Sequence, residues 1–83
     1  MEMTEITTVL RTFIMEKFEI PADDEDFDDD VHLFDYGYVD SFGAVTIIDF
    51  IKERFGVEIT DSDLVTRELN TINEVATLIS ERV

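Results

Sequence analysis

The stretch Asp40-Ser41-Phe42-Gly43-Ala44-Val45-Thr46-Ile47-Ile48-Asp49-Phe50-Ile51-Lys52-Glu53-Arg54-Phe55-Gly56 decides the fold. Ala44, Ile47, Ile48, Ile51 and Phe55 recur at three- and four-residue steps, the spacing of one helix face. Asp40 is a favourable N-cap and Gly56 suits a C-terminal stop, so a helix is predicted over about Ser41–Phe55. Ser41 then falls in the first turn, at the positive end of the helix dipole, where unpaired backbone N–H groups point outward. A serine near a helix start is ordinarily only a capping or first-turn residue. One placed this way can also carry a phosphate-linked group, because an anion on its oxygen sits where the helix favours negative charge. Phe42, Val45 and Phe50 widen the apolar surface beyond one stripe, which predicts a helix central to a small bundle and buried on most sides. Partner contact is expected near Phe42, Gly43 and Thr46.

Outward from that helix, the rest of the chain reads as its support. Ile6, Val9, Leu10, Phe13, Ile14 and Phe18 predict a first helix from about Thr4 to Phe18, and Pro21 stops any continuation. The connector from Glu19 to Asp40 shows no sustained helical period. Its apolar residues, among them Ile20, Phe27, Val31, Leu33, Tyr36 and Tyr38, read as anchors for an irregular loop, and a loop this long is ordinarily functional. After the short Val57-Glu58-Ile59 link, Thr60-Asp61-Ser62-Asp63 has capping character before a brief helix containing Leu64 and Val65. Thr71-Ile72-Asn73-Glu74 matches a capping box, and Ile72, Val75, Ala76, Ile79 and Val83 continue at helical spacing. The expected fold is all-α: a small bundle of three main helices and one short one, with a long first loop, forming a single domain over residues 1–83.

The charge balance narrows the partners. Six basic residues against twenty-one acidic ones, a net charge of -15, exclude nucleic acid and anionic membrane surfaces as targets. A hydrophobic fraction of 45% is too high for a disordered chain. No apolar run is long enough to span a bilayer, and the acidic N-terminus lacks the basic region of a signal peptide, so a cytoplasmic monomer is expected. The absence of cysteine fits a reducing compartment, and any thioester would need a sulfur from a prosthetic group. His32 is the sole histidine, no Ser-His-Asp spacing is available, and no glycine-rich phosphate loop occurs, so the chain is not expected to be an enzyme.

Tyr36-Gly37-Tyr38-Val39-Asp40-Ser41-Phe42-Gly43-Ala44-Val45, with Ile47-Ile48 and the Lys52-Glu53-Arg54-Phe55-Gly56 helix end, resembles the acyl or peptidyl carrier proteins. The resemblance covers nearly the whole chain and is sharpest from Leu33 to Ile59. It implies that Ser41 receives 4′-phosphopantetheine from coenzyme A through a phosphopantetheinyl transferase. It further implies that acyl or aminoacyl groups are loaded as thioesters by a loading enzyme and passed to a synthase or transferase. The resemblance also implies that Asp40, Phe42 and Gly43 are the neighbouring cofactor-binding residues, with Gly43 expected to leave the first turn open. The wording Asp40-Ser41-Phe42-Gly43 is similar to D-alanyl and other stand-alone aminoacyl carriers. The second helix departs from fatty-acid-type carriers: Asp49, Lys52, Glu53 and Arg54 sum to zero, and Thr46 stands where those carriers commonly have glutamate. This points to a specialised pathway and does not name the cargo.

The negative charge lies instead in the loop, where ten acidic residues fall between Glu19 and Asp40 and no Lys or Arg occurs between Lys17 and Lys52. Asp28, Asp29 and Asp30 are therefore expected, with Thr46, Asp49 and Glu53, to contribute to partner docking. The same crowding predicts self-repulsion, relieved when Asp28, Asp29 and Asp30 are neutralised. Two other readings compete: an unmodified acidic interaction module, and a weak calcium site in the Asp23–Asp35 loop. For the latter, Asp24, Asp26 and Asp28 alternate like calcium ligands, but Asp29 replaces the required glycine and no metal site is assigned.

Overall fold

The computed structural model describes residues 1–83 and contains four helices: α1 (Met3–Lys17), α2 (Ser41–Phe55), α3 (Asp61–Thr66) and α4 (Ile72–Arg82). Helices α1 and α4 pack along one another. Ile6, Leu10 and Ile14 from one and Ile72, Leu78 and Ile79 from the other are among the most completely buried side chains. Ile47 and Ile51 of α2 join them, as do Ile20, Val31, Leu33 and Val39 of the first loop, in one core of sixteen buried residues. Phe13 and Phe50 stack with ring centroids 3.8 Å apart, tying α1 to α2 outside that core.

The ends of the helices follow from local chemistry. Asp40, Thr60 and Thr71 each accept a backbone N–H at the third helical position, and both threonines complete capping boxes with Asp63 and Glu74. Gly56 ends α2 at φ 70, a left-handed conformation that a Cβ would penalise. Helix α1 ends differently. Phe18 donates to the Ile14 carbonyl and Ile20 to the Met15 carbonyl, a Schellman closure with Glu19 at φ 55. Buried Ile20 and the following Pro21 fix this turn, and Glu19 occupies the position that glycine favours. Glu19→Gly should therefore raise stability by up to about 1 kcal/mol, the left-handed penalty less glycine's extra unfolded-state entropy. Urea unfolding would read this as a higher midpoint; a lower one would mean that the Glu19 conformation is unstrained.

The long loop is irregular but held. Its backbone crosses the start of α4, where Leu33 donates to the Asn70 carbonyl at 2.9 Å and Asn73 to the Asp29 carbonyl at 3.0 Å. Phe27 meets Tyr38 edge to face at 5.2 Å. Tyr36, expected as an anchor, is instead 65% exposed. The loop thus delivers Val39 and Asp40 to α2 from a fixed direction.

Candidate functional site

The loop hands the chain to α2 at Asp40, whose extended backbone (φ -103, ψ -175) precedes the first helical residue, Ser41. The Gly43 N–H donates to Asp40 Oδ1 at 2.8 Å, and the Ala44 N–H donates to the Asp40 carbonyl at 2.9 Å. The donors left open in the first turn are those of Ser41 and Phe42. Ser41 is exposed and takes no part in the cap, and no acidic side chain lies in the first turn. The serine oxygen therefore stands free at the positive end of a helix of fifteen residues.

Gly43 plays a different part from the one expected of it. It is buried, and a Cβ there would lie 2.7 Å from Phe18 Cε1 and 2.9 Å from Val39 Cγ1. The missing side chain does not open the outer face of the turn. It lets α2 settle onto the end of α1 and the last loop residues, which fixes how Ser41 is presented.

Residues 8–79 match the family described as the phosphopantetheine attachment site. The chain belongs to that family. Its members carry 4′-phosphopantetheine covalently on a serine. The chain is also 33% identical over 52 residues to a D-alanyl carrier protein of Bacillus velezensis, a match spanning 63% of this chain and 67% of that one. Carrier proteins are generally not themselves enzymes. They work with a phosphopantetheinyl transferase and with loading enzymes. No helix here is long and apolar enough to cross a membrane. The residues at the start of α2 fit the group: an exposed hydroxyl, two open N–H donors and a favourable dipole suit a phosphodiester.

The acidic loop of this carrier is less free than its composition suggests. Arg11 of α1 grips Asp29 through two bonds, Nε to Oδ1 at 2.8 Å and Nη2 to Oδ2 at 2.5 Å. Asp30 accepts from Asn73 Nδ2 at 2.6 Å, over the first turn of α4. Asp24 and Asp28 turn their Oδ1 atoms onto the N–H groups of Asp26 and Asp30. The Tyr38 hydroxyl donates to Asp24, and burial, that bond and the nearby Asp24 and Asp26 charges push its pKa up to about 12. No three acidic or histidine side chains of the loop converge in an arrangement that could hold a metal ion.

Asp29 and Asp30 thus have partners, the Arg11 guanidinium and the Asn73 amide at the start of α4, that offset the repulsion expected among Asp28, Asp29 and Asp30. Neutralisation should destabilise. Asp29→Asn is expected to lower stability by about 1 kcal/mol, a charged hydrogen-bond loss discounted for the solvent-exposed Arg11. A raised melting temperature at low salt would restore the repulsion account.

Of the remaining sequence-predicted residues, Phe42 is 85% exposed, Asp49 and Glu53 are exposed, and Thr46 is half-buried with its hydroxyl donating to the Phe42 carbonyl. Val45, expected on a flank of α2 that is mostly buried, is instead exposed, as are Leu64 and Val65 of α3. Val45 is 59% exposed and Val65 85%, and only their place off the 44-47-48-51-55 stripe, or in a helix too short to bury both, could have signalled it. An apolar cavity of about 50 Å³ was also unforeseen. Leu10, Leu33, Ile51, Leu64 and Ile72 line it, so all four helices and the loop share its wall.

Proposed function

We propose that Ser41 is the attachment serine and that the chain carries acyl or aminoacyl groups between enzymes of a specialised biosynthetic pathway. The observation that carries this reading is the uncommitted Ser41 hydroxyl at the start of α2, beside the open N–H groups of Ser41 and Phe42. Asp40 holds the turn through Gly43 and remains exposed, where it can help to orient the serine in a transferase. Buried Gly43 sets the turn's height on Phe18 and Val39. When attached, the prosthetic group supplies the thiol that the cysteine-free chain lacks. Loading and unloading chemistry belongs to the partner enzymes.

Docking in this reading uses Phe42 and Val45 as apolar contacts, with Thr46, Asp49 and Glu53 further along α2 and Asp28 and Asp30 on the loop. Asp29, committed to Arg11, contributes only to the loop's shape. A single small carrier domain of such negative charge suits fast, weak, electrostatically steered encounters with basic partner surfaces. An aminoacyl cargo agrees with the D-alanyl carrier relative, and an acyl cargo with the apolar cavity.

The test is the intact mass of the chain before and after incubation with coenzyme A, magnesium and a broad-specificity transferase. A gain of one phosphopantetheine, placed on Ser41 by fragmentation, is expected. No gain, or a gain on Ser62 or Ser80, would overturn the assignment.

A further inference from the structure

Residues 33–37 form one turn of the first loop, and that turn begins as a helix does. The Tyr36 N–H donates to the His32 carbonyl at 3.2 Å, and the Asp35 N–H donates to His32 Nδ1 at 3.1 Å. His32 therefore stands to Asp35 as Asp40 stands to Gly43, Thr60 to Asp63 and Thr71 to Glu74. In each case a side chain accepts the N–H three residues further on. The turn closes at Gly37, whose φ of 78 is left-handed and whose N–H donates to the Phe34 carbonyl at 3.1 Å. Val39 then donates to the Leu33 carbonyl at 3.1 Å, while Leu33 itself is fastened to Asn70, just ahead of α4. Two exposed aromatic side chains, Phe34 and Tyr36, ride on this turn. The chain leaves it only three residues before Asp40.

This cap differs from the other three in its acceptor. Carboxylate and hydroxyl oxygens keep their lone pairs at every pH near neutrality, whereas an imidazole nitrogen accepts only while it carries no proton. The bond from Asp35 requires the neutral ring with its proton on Nε2. Protonation would put a second N–H on Nδ1, facing the N–H of Asp35, and the bond is then lost. The Asp35 carboxylate is the one acid within 4 Å of the ring, with Oδ2 3.7 Å from Nε2. It favours the imidazolium but cannot replace the acceptor. Acids on the neighbouring segments are engaged elsewhere: Asp29 with Arg11, Asp30 with Asn73, and Glu74 with the Asn70 and Thr71 N–H groups. The Phe34 ring beside the imidazole offers no acceptor.

We infer that His32 is a pH-operated cap: its neutral imidazole holds the turn over residues 33–37 closed, and its protonation releases that turn beside the start of α2. Because Leu33 stays fastened to Asn70, the release is confined to the stretch between that anchor and Asp40, and it alters how Phe34 and Tyr36 are displayed. The inference goes beyond the attachment reading and does not need it, since every bond involved belongs to the unmodified chain.

Nuclear magnetic resonance on the isotope-labelled, unmodified full chain tests the cap. At about pH 8 a scalar coupling across the hydrogen bond should join the Asp35 amide nitrogen to His32 Nδ1. As the pH falls to about 5 that coupling should vanish. Protection of the Tyr36 and Val39 amides, corrected for the chemical exchange rate, should drop about fivefold, the size of one cap. The midpoint should be that of the His32 ring, with the amides of α1 and α4 unchanged. His32→Asn supplies an acceptor that does not titrate, so its turn should stay closed across the range. His32→Ala should show the open turn even at about pH 8. Asp35→Asn should keep the pH response, because the cap binds the backbone of residue 35 and not its carboxylate. A proton on Nδ1 at about pH 8, or turn amides indifferent to titration of the ring, would overturn the inference. So would loss of protection in acidified His32→Asn, which would assign the response to the carboxylates. Loosening of all four helices together would mean global unfolding and equally reject a local cap. None of these results bears on Ser41.

Discussion

Ser41→Ala is expected to take up no phosphopantetheine under conditions that convert the wild-type chain completely. The prediction is sharp because the substitution removes one exposed oxygen and little else. The cap belongs to Asp40, which receives the Gly43 N–H whether residue 41 is serine or alanine. Alanine at the first helical position costs nothing in propensity, so stability should stay within about 0.5 kcal/mol. Circular dichroism and the urea midpoint would establish that the variant is folded before mass spectrometry is read. Retained labelling would move the attachment site elsewhere. Asp40→Ala is a useful contrast: losing the cap should lower stability by about 1 kcal/mol, with the hydroxyl still present.

The largest expected stability effect is at Ile51. It is fully buried in α2 and lines the cavity shared with Leu10, Leu64 and Ile72. Truncation to alanine should enlarge an existing void that four helices already hold open, so collapse can recover little. A loss of about 2–5 kcal/mol is expected. A domain of 83 residues has only about 4–12 kcal/mol in total. Ile51→Ala should therefore show a much lower urea midpoint. Phe42→Ala on the same helix, where the ring is 85% exposed, should change stability by about 0.5 kcal/mol or less. Comparable losses at the two positions would mean that Phe42 packs in solution against something other than solvent.

What the sequence discloses is what its neighbours settle. The bounds of α2, the stop at Gly56, the cap before α3 and the capping box at Thr71 depend on residues within a turn of each other, and all are as expected from local chemistry. Ile47 and Ile51 are core residues for the same reason, since helix periodicity is local. The pairs that the reading missed join distant segments. Arg11 meets Asp29 across 18 residues, Asp63 meets Arg82 across 19, and Asp30 meets Asn73 across 43. No spacing rule encodes such meetings, so a charge run reads as mutual repulsion until its partners are placed. At Gly43 the sequence predicts an open outer turn, whereas the space is taken by Phe18 and Val39 inside. That a residue lacks a side chain is legible, but whether the space serves the outside or the interior depends on where Phe18 and Val39 lie.

The crossing of the first loop over the start of α4 has a consequence for biosynthesis. The loop that aims Ser41 is fastened to Asn70 and Asn73, and the inner face of α2 shares its cavity wall with Ile72 and Val75. During translation, Ser41 leaves the ribosome some thirty residues ahead of these contacts, on a segment that has α1 to pack against but not yet α4. Long-range closure of this kind comes late in folding. The attachment platform should therefore be assembled only when α4 has emerged, and a chain ending at Asn70 should remain a poor transferase substrate despite containing the entire motif. With Ser41 as the proposed attachment site, the fold would then serve as a proofreader of synthesis, presenting the serine in its final geometry only once α4 is in place.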